Sequence, residues 1–178
     1  MITEAPPVSP PSRPVWAFLV RFVLLCLLFY SLLLMPWMDR VILSNYLSVN
    51  ARATAALMRG LGEPAVVTHA SILIGQVKIV VRRGCDALEP TALLAAALWS
   101  FPAPWRRRLV GFCVGAALLA VLNLIRLASL CWVRVHWPQS FHTLHLEVWP
   151  ILFVLVTVAY WLRWVRFLDS SASQNAIN

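Results

Sequence analysis

The sequence predicts an α-helical integral membrane protein with about four transmembrane helices, a small extracytoplasmic amphipathic helix and a short β-hairpin. Composition is the first reason, because 61% of the 178 residues are hydrophobic and 12% are charged, whereas soluble domains are about 45–50% apolar. The second reason is the presence of apolar runs near the roughly 20 residues that cross a bilayer. A chain of this size is expected to form a single membrane domain, which we place at residues 15–166.

The N-terminal part predicts a tail followed by a membrane anchor. Residues 1–14 are rich in Pro and Ser, which predicts a disordered cytoplasmic tail. The first span is predicted at about 15–37, an apolar run with a Trp near each end, where Trp favours the membrane interface. The run is long and lacks the small-x-small exit of a cleavable signal peptide, so it is expected to remain as an anchor.

The region 38–85 has a mixed pattern and is predicted to lie outside the bilayer core. In RVILSNYLSVNARATAALMRGLG, residues 40–62, apolar residues recur three and four apart, which predicts an amphipathic helix on the membrane surface. Two segments rich in Val and Ile follow, AVVTHASILIG and QVKIVVRRG, divided at Gly75-Gln76. They predict the two short strands of a hairpin.

Three further spans are predicted, at about 86–102, 109–132 and 144–164, followed by a polar cytoplasmic tail at 167–178. The second of these is short, and Pro90 suits the first turn of its helix, where the missing N–H costs nothing.

The orientation follows from the loops, since an even number of spans places both termini on one side. Basic residues are equally numerous on the two sides, but the shortest loop holds Arg106, Arg107 and Arg108. The excess of cytoplasmic positive charge is most reliable in short loops. This turn and both termini are therefore predicted in the cytoplasm, with 38–85 and the loop 133–144 facing outward.

Charge and cysteine content exclude several classes of function. The net charge of +8 is attributed to topology anchors and contacts with anionic membrane lipid, and no nucleic-acid partner is predicted. The four cysteines include no C-x-x-C pair, which disfavours a disulfide relay. Cys26, Cys113 and Cys131 lie inside apolar runs, where a buried cysteine is usually a small hydrophobe. Cys85 differs, because it lies among charges in VRRGCDALEP.

Three residues from three different spans are predicted at the same depth near the outer face. Arg126 lies inside the third span, about 25 Å beyond Leu109 at 1.5 Å per residue. A charge within a span is costly and indicates a function. Cys85 precedes the second span and His145 opens the fourth. These depths follow from the apolar runs and the loop charges alone.

The three residue types fit cysteine acyl transfer. A thiolate is the nucleophile, and the N-terminus of the following helix together with Arg82, Arg83 and Arg126 is predicted to lower the pKa of Cys85. His145 is predicted to act as the base and then as the acid toward the leaving amine. The guanidinium of Arg126 offers N–H donors to a tetrahedral oxyanion.

Supporting roles are predicted for residues next to these three. Asn123 lies one turn before Arg126 on the same helix face. Asp86 and Glu89 are expected to cap the second span, where acidic residues are favourable, and a catalytic role is the alternative.

The remaining charged residues leave two alternatives open. Arg82 and Arg83 are expected to contact lipid phosphate, or else to steer a substrate. His142 competes with His145 for the role of base. No cofactor and no metal site is predicted, because a thiolate beside arginines is a poor zinc site.

These motifs resemble the exosortase/archaeosortase family of membrane transpeptidases, and within it the compact exosortase H type. The family pattern is a Cys after a short strand and before a span, then N-x-x-R inside a later span, then a His that opens a final span. The matching stretches are GCDALEP with Cys85, NLIR with Asn123 and Arg126, and HLEVW with His145. The chain departs from many members at Ala87, where they have Gly.

The resemblance implies a membrane-embedded cysteine protease or transpeptidase of the bacterial inner membrane, with its active site facing the periplasm. The implied substrates are exported proteins with a C-terminal sorting signal, which consists of a short motif, one transmembrane helix and a basic cluster. The implied reaction cleaves near the motif through a Cys85 thioester and transfers the protein to an acceptor. The alternative is a non-catalytic assembly protein in which Arg126 pairs with an acidic residue of a partner helix. The residues leave open hydrolysis or transfer, the acceptor and the oligomeric state.

Overall fold

The computed structural model describes residues 15–38 and 43–175, which form a helical bundle with a small antiparallel sheet packed on the C-terminal half of its longest helix. The predicted N-terminal tail, residues 39–42 and the last three residues lie outside the described residues. The elements in chain order are α1 (Val15–Leu33), α2 (Pro36–Met38), α3 (Ser44–Gly60), β1 (Ala65–Thr68), β2 (Ser71–Ile74), β3 (Val77–Val80), α4 (Leu88–Ser100), α5 (Trp105–His136), α6 (Phe141–Thr143) and α7 (Trp149–Asn175).

Three helical segments of the described residues are long and apolar enough to cross a membrane: Val15–Leu33, Trp105–His136 and Pro138–Leu168. The predicted second span is shorter than expected, since α4 has 13 residues and is about 20 Å long, against a bilayer core of about 30 Å. The helix ends here because prolines at 102 and 104 cannot continue it. Leu94 and Leu98 of α4 are fully buried, so the short helix is enclosed by α1, α5 and α7.

The prediction of a loop at 133–144 was wrong, because this stretch is largely helical. Helix α5 continues to His136, a 3₁₀ turn follows at Pro138–Ser140, and α6 leads into a π-helical segment at Leu144–Val148. Proline favours the first position of a helical turn, since its missing N–H needs no partner there. The helical segment that contains the predicted span therefore begins at Pro138, and its last part, α7, runs on to Asn175.

The sheet has three strands in the described residues, in the order β1-β2-β3, instead of the predicted two-stranded hairpin. The segment predicted as one strand folds back at His69-Ala70, and the predicted turn at Gly75-Gln76 joins β2 to β3. His69 has φ 54°, a conformation that is uncommon without glycine, although His adopts it more often than most residues. The strand pattern alone carries no sign of this turn.

Helix α3 confirms the predicted amphipathic helix. Its buried residues share one face and pack against β1, β2 and α5; they are Ala51, Thr54, Ala55 and Met58. The sheet and α3 together form a small layer over the C-terminal half of α5, where Leu127, Ala128 and Cys131 complete the same core.

Gly115 allows α5 to approach α4 and α7 closely. A Cβ at this position would clash with the Leu94 side chain and would lie 2.7 Å from the ring of Tyr160. We expect Gly115→Ala to destabilise the bundle by about 1–3 kcal/mol, the usual range for an overpacked core, measured as a lower thermal midpoint in detergent. Gly60→Ala is the matched control, because no atom lies within 4 Å of its added Cβ. Equal midpoints for the two variants would contradict this packing argument.

Candidate active site

Cys85 lies in the short connection between β3 and α4. The backbone on either side has positive φ, 86° at Gly84 and 57° at Ala87. Glycine adopts this conformation without steric cost, whereas a residue with a Cβ loses about 1–2 kcal/mol. The Cys85 N–H donates to the carbonyl of Arg82 at 3.0 Å, which closes the turn. The half-buried thiol therefore faces a cavity of about 220 Å³ that His145 also lines.

His145 approaches from the other wall of this cavity, on the π-helical segment before α7. Its Nε2 lies 3.9 Å from the Sγ of Cys85. The ring of Phe141 stacks on the imidazole, with centroids 5.6 Å apart and an interplanar angle of 8°. The distance exceeds the roughly 2.6–3.2 Å of an engaged nucleophile and base, as is common before a substrate binds. Single π-helical turns often occur at functional sites.

Arg126 reaches the same loop from α5. It is 7% exposed, and its Nη1 donates to the carbonyl of Gly84, the residue before the nucleophile, at 3.2 Å. The guanidinium carbon lies 5.6 Å from the ring centroid of Phe153. The Nε of Arg126 is buried without a hydrogen-bond partner among the described residues. A buried cation thus lies beside the thiol with an N–H donor left for a further acceptor.

A half-buried thiol facing an imidazole, with a buried arginine beside it, is an arrangement suited to acyl transfer. The family model of the transmembrane exosortases (Exosortase_EpsH) matches residues 15–167, which include all three residues. The chain belongs to the transmembrane exosortase family. No curated protein and no solved structure matches this exosortase.

The electrostatics of the exosortase thiol differ from the sequence prediction. Burial raises the pKa of Cys85, and the Asp86 carboxylate adds to the rise, while Arg126 and a backbone hydrogen bond at Arg82 oppose it. The net direction is upward, so the predicted lowering of the pKa was wrong. The cost of burying an anion outweighs the attraction of one nearby cation. The resting thiol is therefore protonated at neutral pH, and a nearby proton acceptor is needed to activate it.

Asp86 lies one residue before the N-cap of α4, which is Ala87. Its Oδ1 accepts the N–H of Leu88 at 3.2 Å, and Glu89 lies in the first turn of the same helix. Asp86 is 1% exposed, and burial raises the pKa of its carboxyl group. Both acidic residues therefore lie at the N-terminus of α4, where negative charge is favourable.

Two residues of α3 that were not predicted connect the parts of the site. The hydroxyl of Tyr46 donates to the carbonyl of Asp86 at 3.0 Å. The fully buried Asn123 donates from Nδ2 to the Oδ1 of Asn50 at 3.2 Å. Asn123 thus holds α3 against α5 one turn before Arg126, and it does so without contact to the thiol. A polar side chain inside a span, such as that of Asn123, needs a hydrogen-bond partner. This need was the one sign in the sequence that a residue such as Asn50 would contact it.

Two of the remaining predicted residues, Arg82 and Arg83, line the cavity of Cys85, whereas His142 is not part of its lining. Arg82 is exposed, whereas Arg83 donates from Nη2 to the carbonyl of Leu33 at 2.7 Å. His142 is exposed. Of the two histidines, both within the described residues, His145 is the one whose imidazole approaches the Cys85 thiol, at 3.9 Å, so the geometry favours it as the base.

The contribution of Arg126 to thiol ionisation is testable by alkylation. The thiolate is the reacting species, and Arg126 lowers the pKa of Cys85. Removing this cation in Arg126→Gln is expected to raise that pKa further, so that iodoacetamide reacts several-fold more slowly at neutral pH. The measurement is the modification rate of the Cys85 peptide by mass spectrometry between about pH 7 and 10. Arg126→Lys keeps the charge and is the control; identical pH profiles for Arg126→Gln and the wild type would contradict this effect.

Proposed function

We propose that this exosortase is a cysteine transpeptidase that cleaves the C-terminal sorting signals of exported proteins at the outer face of a bacterial inner membrane. The observation that carries the proposal is the 3.9 Å approach of the Cys85 Sγ and the His145 Nε2 beside the buried Arg126. Family membership supports the substrate class, because transmembrane exosortases are a family of sorting-signal transpeptidases.

The proposed reaction forms and resolves a thioester. The Sγ of Cys85 passes its proton to the Nε2 of His145 and attacks the carbonyl carbon of the scissile peptide bond. Arg126 donates to the oxyanion of the tetrahedral intermediate. The imidazolium then protonates the amide nitrogen as the C–N bond breaks, which leaves an acyl group on Cys85. An acceptor hydroxyl or amine then loses its proton to His145 and attacks the thioester carbonyl, the C–S bond breaks, and the departing thiolate takes that proton from the imidazolium.

The depth of the site supports a reaction at the outer face. Arg126 lies about 30 Å along α5 from Trp105 at 1.5 Å per residue. The first turns of α5 hold Arg106, Arg107 and Arg108, and a basic turn of this kind favours the cytoplasm. A substrate anchored by one transmembrane helix, with its basic cluster in the cytoplasm, would present the residues before that helix at the depth of Cys85.

The alternative of a non-catalytic assembly protein is less well supported. It requires Arg126 to pair with an acidic residue of a partner helix. The guanidinium instead points to the carbonyl of Gly84 and to the ring of Phe153 within the same bundle.

The proposal is tested with tagged exported proteins from the same genome that end in one transmembrane helix and a basic tail. Each reporter is expressed with and without the exosortase, and its size is read by blotting. We expect at least one reporter to become shorter only with the enzyme, and acid-quenched samples to contain an enzyme–reporter adduct that hydroxylamine cleaves. If every reporter keeps its size and no adduct forms, the proposed function is wrong.

A further inference from the structure

We infer that the open edge of β3 binds an extended segment of the substrate as an additional strand and thereby delivers the scissile bond to Cys85. The inference rests on the proposed function, since it concerns how that substrate is held. It assigns a peptide-binding site to main-chain groups of β3, which no side-chain motif in the sequence indicates.

The register of the sheet identifies the groups on this edge. β3 is the last strand of the described sheet, so no strand of the described residues lies beside its second edge. The N–H of Val81 donates to the carbonyl of Ala70 across the β2–β3 ladder at 2.8 Å. In an antiparallel ladder, residues that bond to the neighbour alternate with residues that do not. The N–H and C=O groups of Lys78 and Val80 therefore point away from β2, toward the open edge.

The open edge continues into the cavity of the candidate active site. Ile79 and Val80 line this 220 Å³ cavity together with Cys85, Phe141 and His145. The chain from Val80 to Cys85 spans at most about 16 Å when extended. A peptide paired with β3 would therefore reach the thiol within a few residues of its last paired position.

The other edge of the sheet does not border this cavity, since no residue of β1 lines it. On β1, the carbonyl of Ala65 accepts a hydrogen bond from the Nη1 of Arg59 at 2.9 Å, and α3 packs along the strand. Within the described sheet, the β3 edge thus combines outward main-chain groups with a cavity that Cys85 lines, whereas an outward carbonyl of the β1 edge is already bonded to Arg59.

Strand addition also suits the chemistry of a sorting enzyme. Main-chain hydrogen bonds supply affinity that does not depend on the passenger protein, and side-chain pockets supply specificity at alternate positions. Side chains of an added strand would alternate between two faces. Those on the face of Ile79 would meet the apolar cavity wall that Leu127 and Leu130 also form, so apolar residues are expected at these positions of the substrate.

The first test removes one outward N–H. Val80→Pro deletes a main-chain donor that the β2–β3 ladder does not use, and proline is tolerated at such edge positions. Val67→Pro is the matched control, because the N–H of Val67 faces the β1 edge in the same way. With a reporter whose processing depends on Cys85, we expect Val80→Pro to slow cleavage about tenfold and Val67→Pro to change it less than about twofold. The alkylation rate of Cys85 reports whether the loop keeps its structure.

The second test does not depend on how well the proline variants fold. A photoreactive benzoylphenylalanine replaces Val80 or Val66, which are 42% and 60% exposed, in a Cys85→Ala background. We expect a crosslink to the same reporter from position 80 and none from position 66. Equal crosslinking from both positions, or none from position 80 with a reporter that the wild type cleaves, would overturn the inference and leave the proposed function intact. A wild-type enzyme that neither cleaves a reporter nor forms a thioester overturns both.

Discussion

Replacing Cys85 with alanine or serine is expected to abolish reporter processing while the protein still accumulates in the membrane. Removal of a catalytic nucleophile lowers turnover by about 10⁴–10⁶-fold, which is below detection on a blot. Serine is not expected to substitute, because a hydroxyl ionises far less readily than a thiol, and burial already opposes ionisation of Cys85 by raising its pKa. The measurement is the ratio of cleaved to intact reporter, normalised to the amount of enzyme in the membrane.

The fold is expected to tolerate this change. Cys85 is half-buried. The turn that carries it is held by the positive φ of Gly84 and by the hydrogen bond from the Cys85 N–H to the Arg82 carbonyl, and both are backbone features that a substitution of the side chain leaves in place. Cys113, an exposed cysteine of α5, provides the matched control, and Cys113→Ala should process the reporter at the wild-type rate. Wild-type processing by Cys85→Ser would show that another group is the nucleophile.

The depth of the candidate site residues was predictable because depth follows from counting residues along apolar runs. Helix α5 begins after the basic turn, so the position of Arg126 fixes its level within a few ångströms. The same topology predicts Cys85, just before the second predicted span, and His145, at the start of the fourth, at that level. The structure places Cys85 and His145 on one cavity, and Arg126 bonds to the loop that carries Cys85 from the neighbouring cavity.

Lateral contacts were not predictable, since one sequence contains no information on which helices are neighbours. The bonds from Tyr46 to Asp86 and from Asn123 to Asn50 join segments that are distant in the chain. Local exceptions were missed for a different reason. The turn at His69 depends on a positive φ in a residue other than glycine, and hydrophobic periodicity does not reveal it.

The direction of the Cys85 pKa shift shows why an inventory of charges is insufficient. The sequence shows arginines near the thiol, and each of them favours a thiolate through space. Burial depends on the folded structure, and in this cavity it exceeds the effect of Arg126. Arg83 contributes less than its position in the chain suggests, because its guanidinium bonds to the end of α1 at Leu33.

Because the resting thiol is protonated, a base must remove its proton before it can attack. Replacing His145 is therefore expected to cause the second large loss of processing rate. His145→Gln is expected to slow reporter processing by about 10²–10⁴-fold, the usual contribution of a positioned general acid–base. Glutamine keeps a polar side chain of similar length, but it cannot accept and return a proton. The loss is expected near the upper end of this range, since the same residue must deprotonate the thiol and protonate the leaving amine.

His142→Gln is the matched control, because it makes the same substitution one helical turn away on an exposed residue. It should leave the rate within about twofold, as for most surface changes. Single-turnover rates of both variants with one reporter separate slow acylation from poor substrate binding. If His142→Gln is the slow variant, the 3.9 Å approach of His145 to Cys85 is not the catalytic contact, and the base reaches the thiol by a rearrangement of α6. If both variants are fast, the proton leaves the thiol by a route that involves neither histidine, and the acyl-transfer mechanism proposed for this site is wrong.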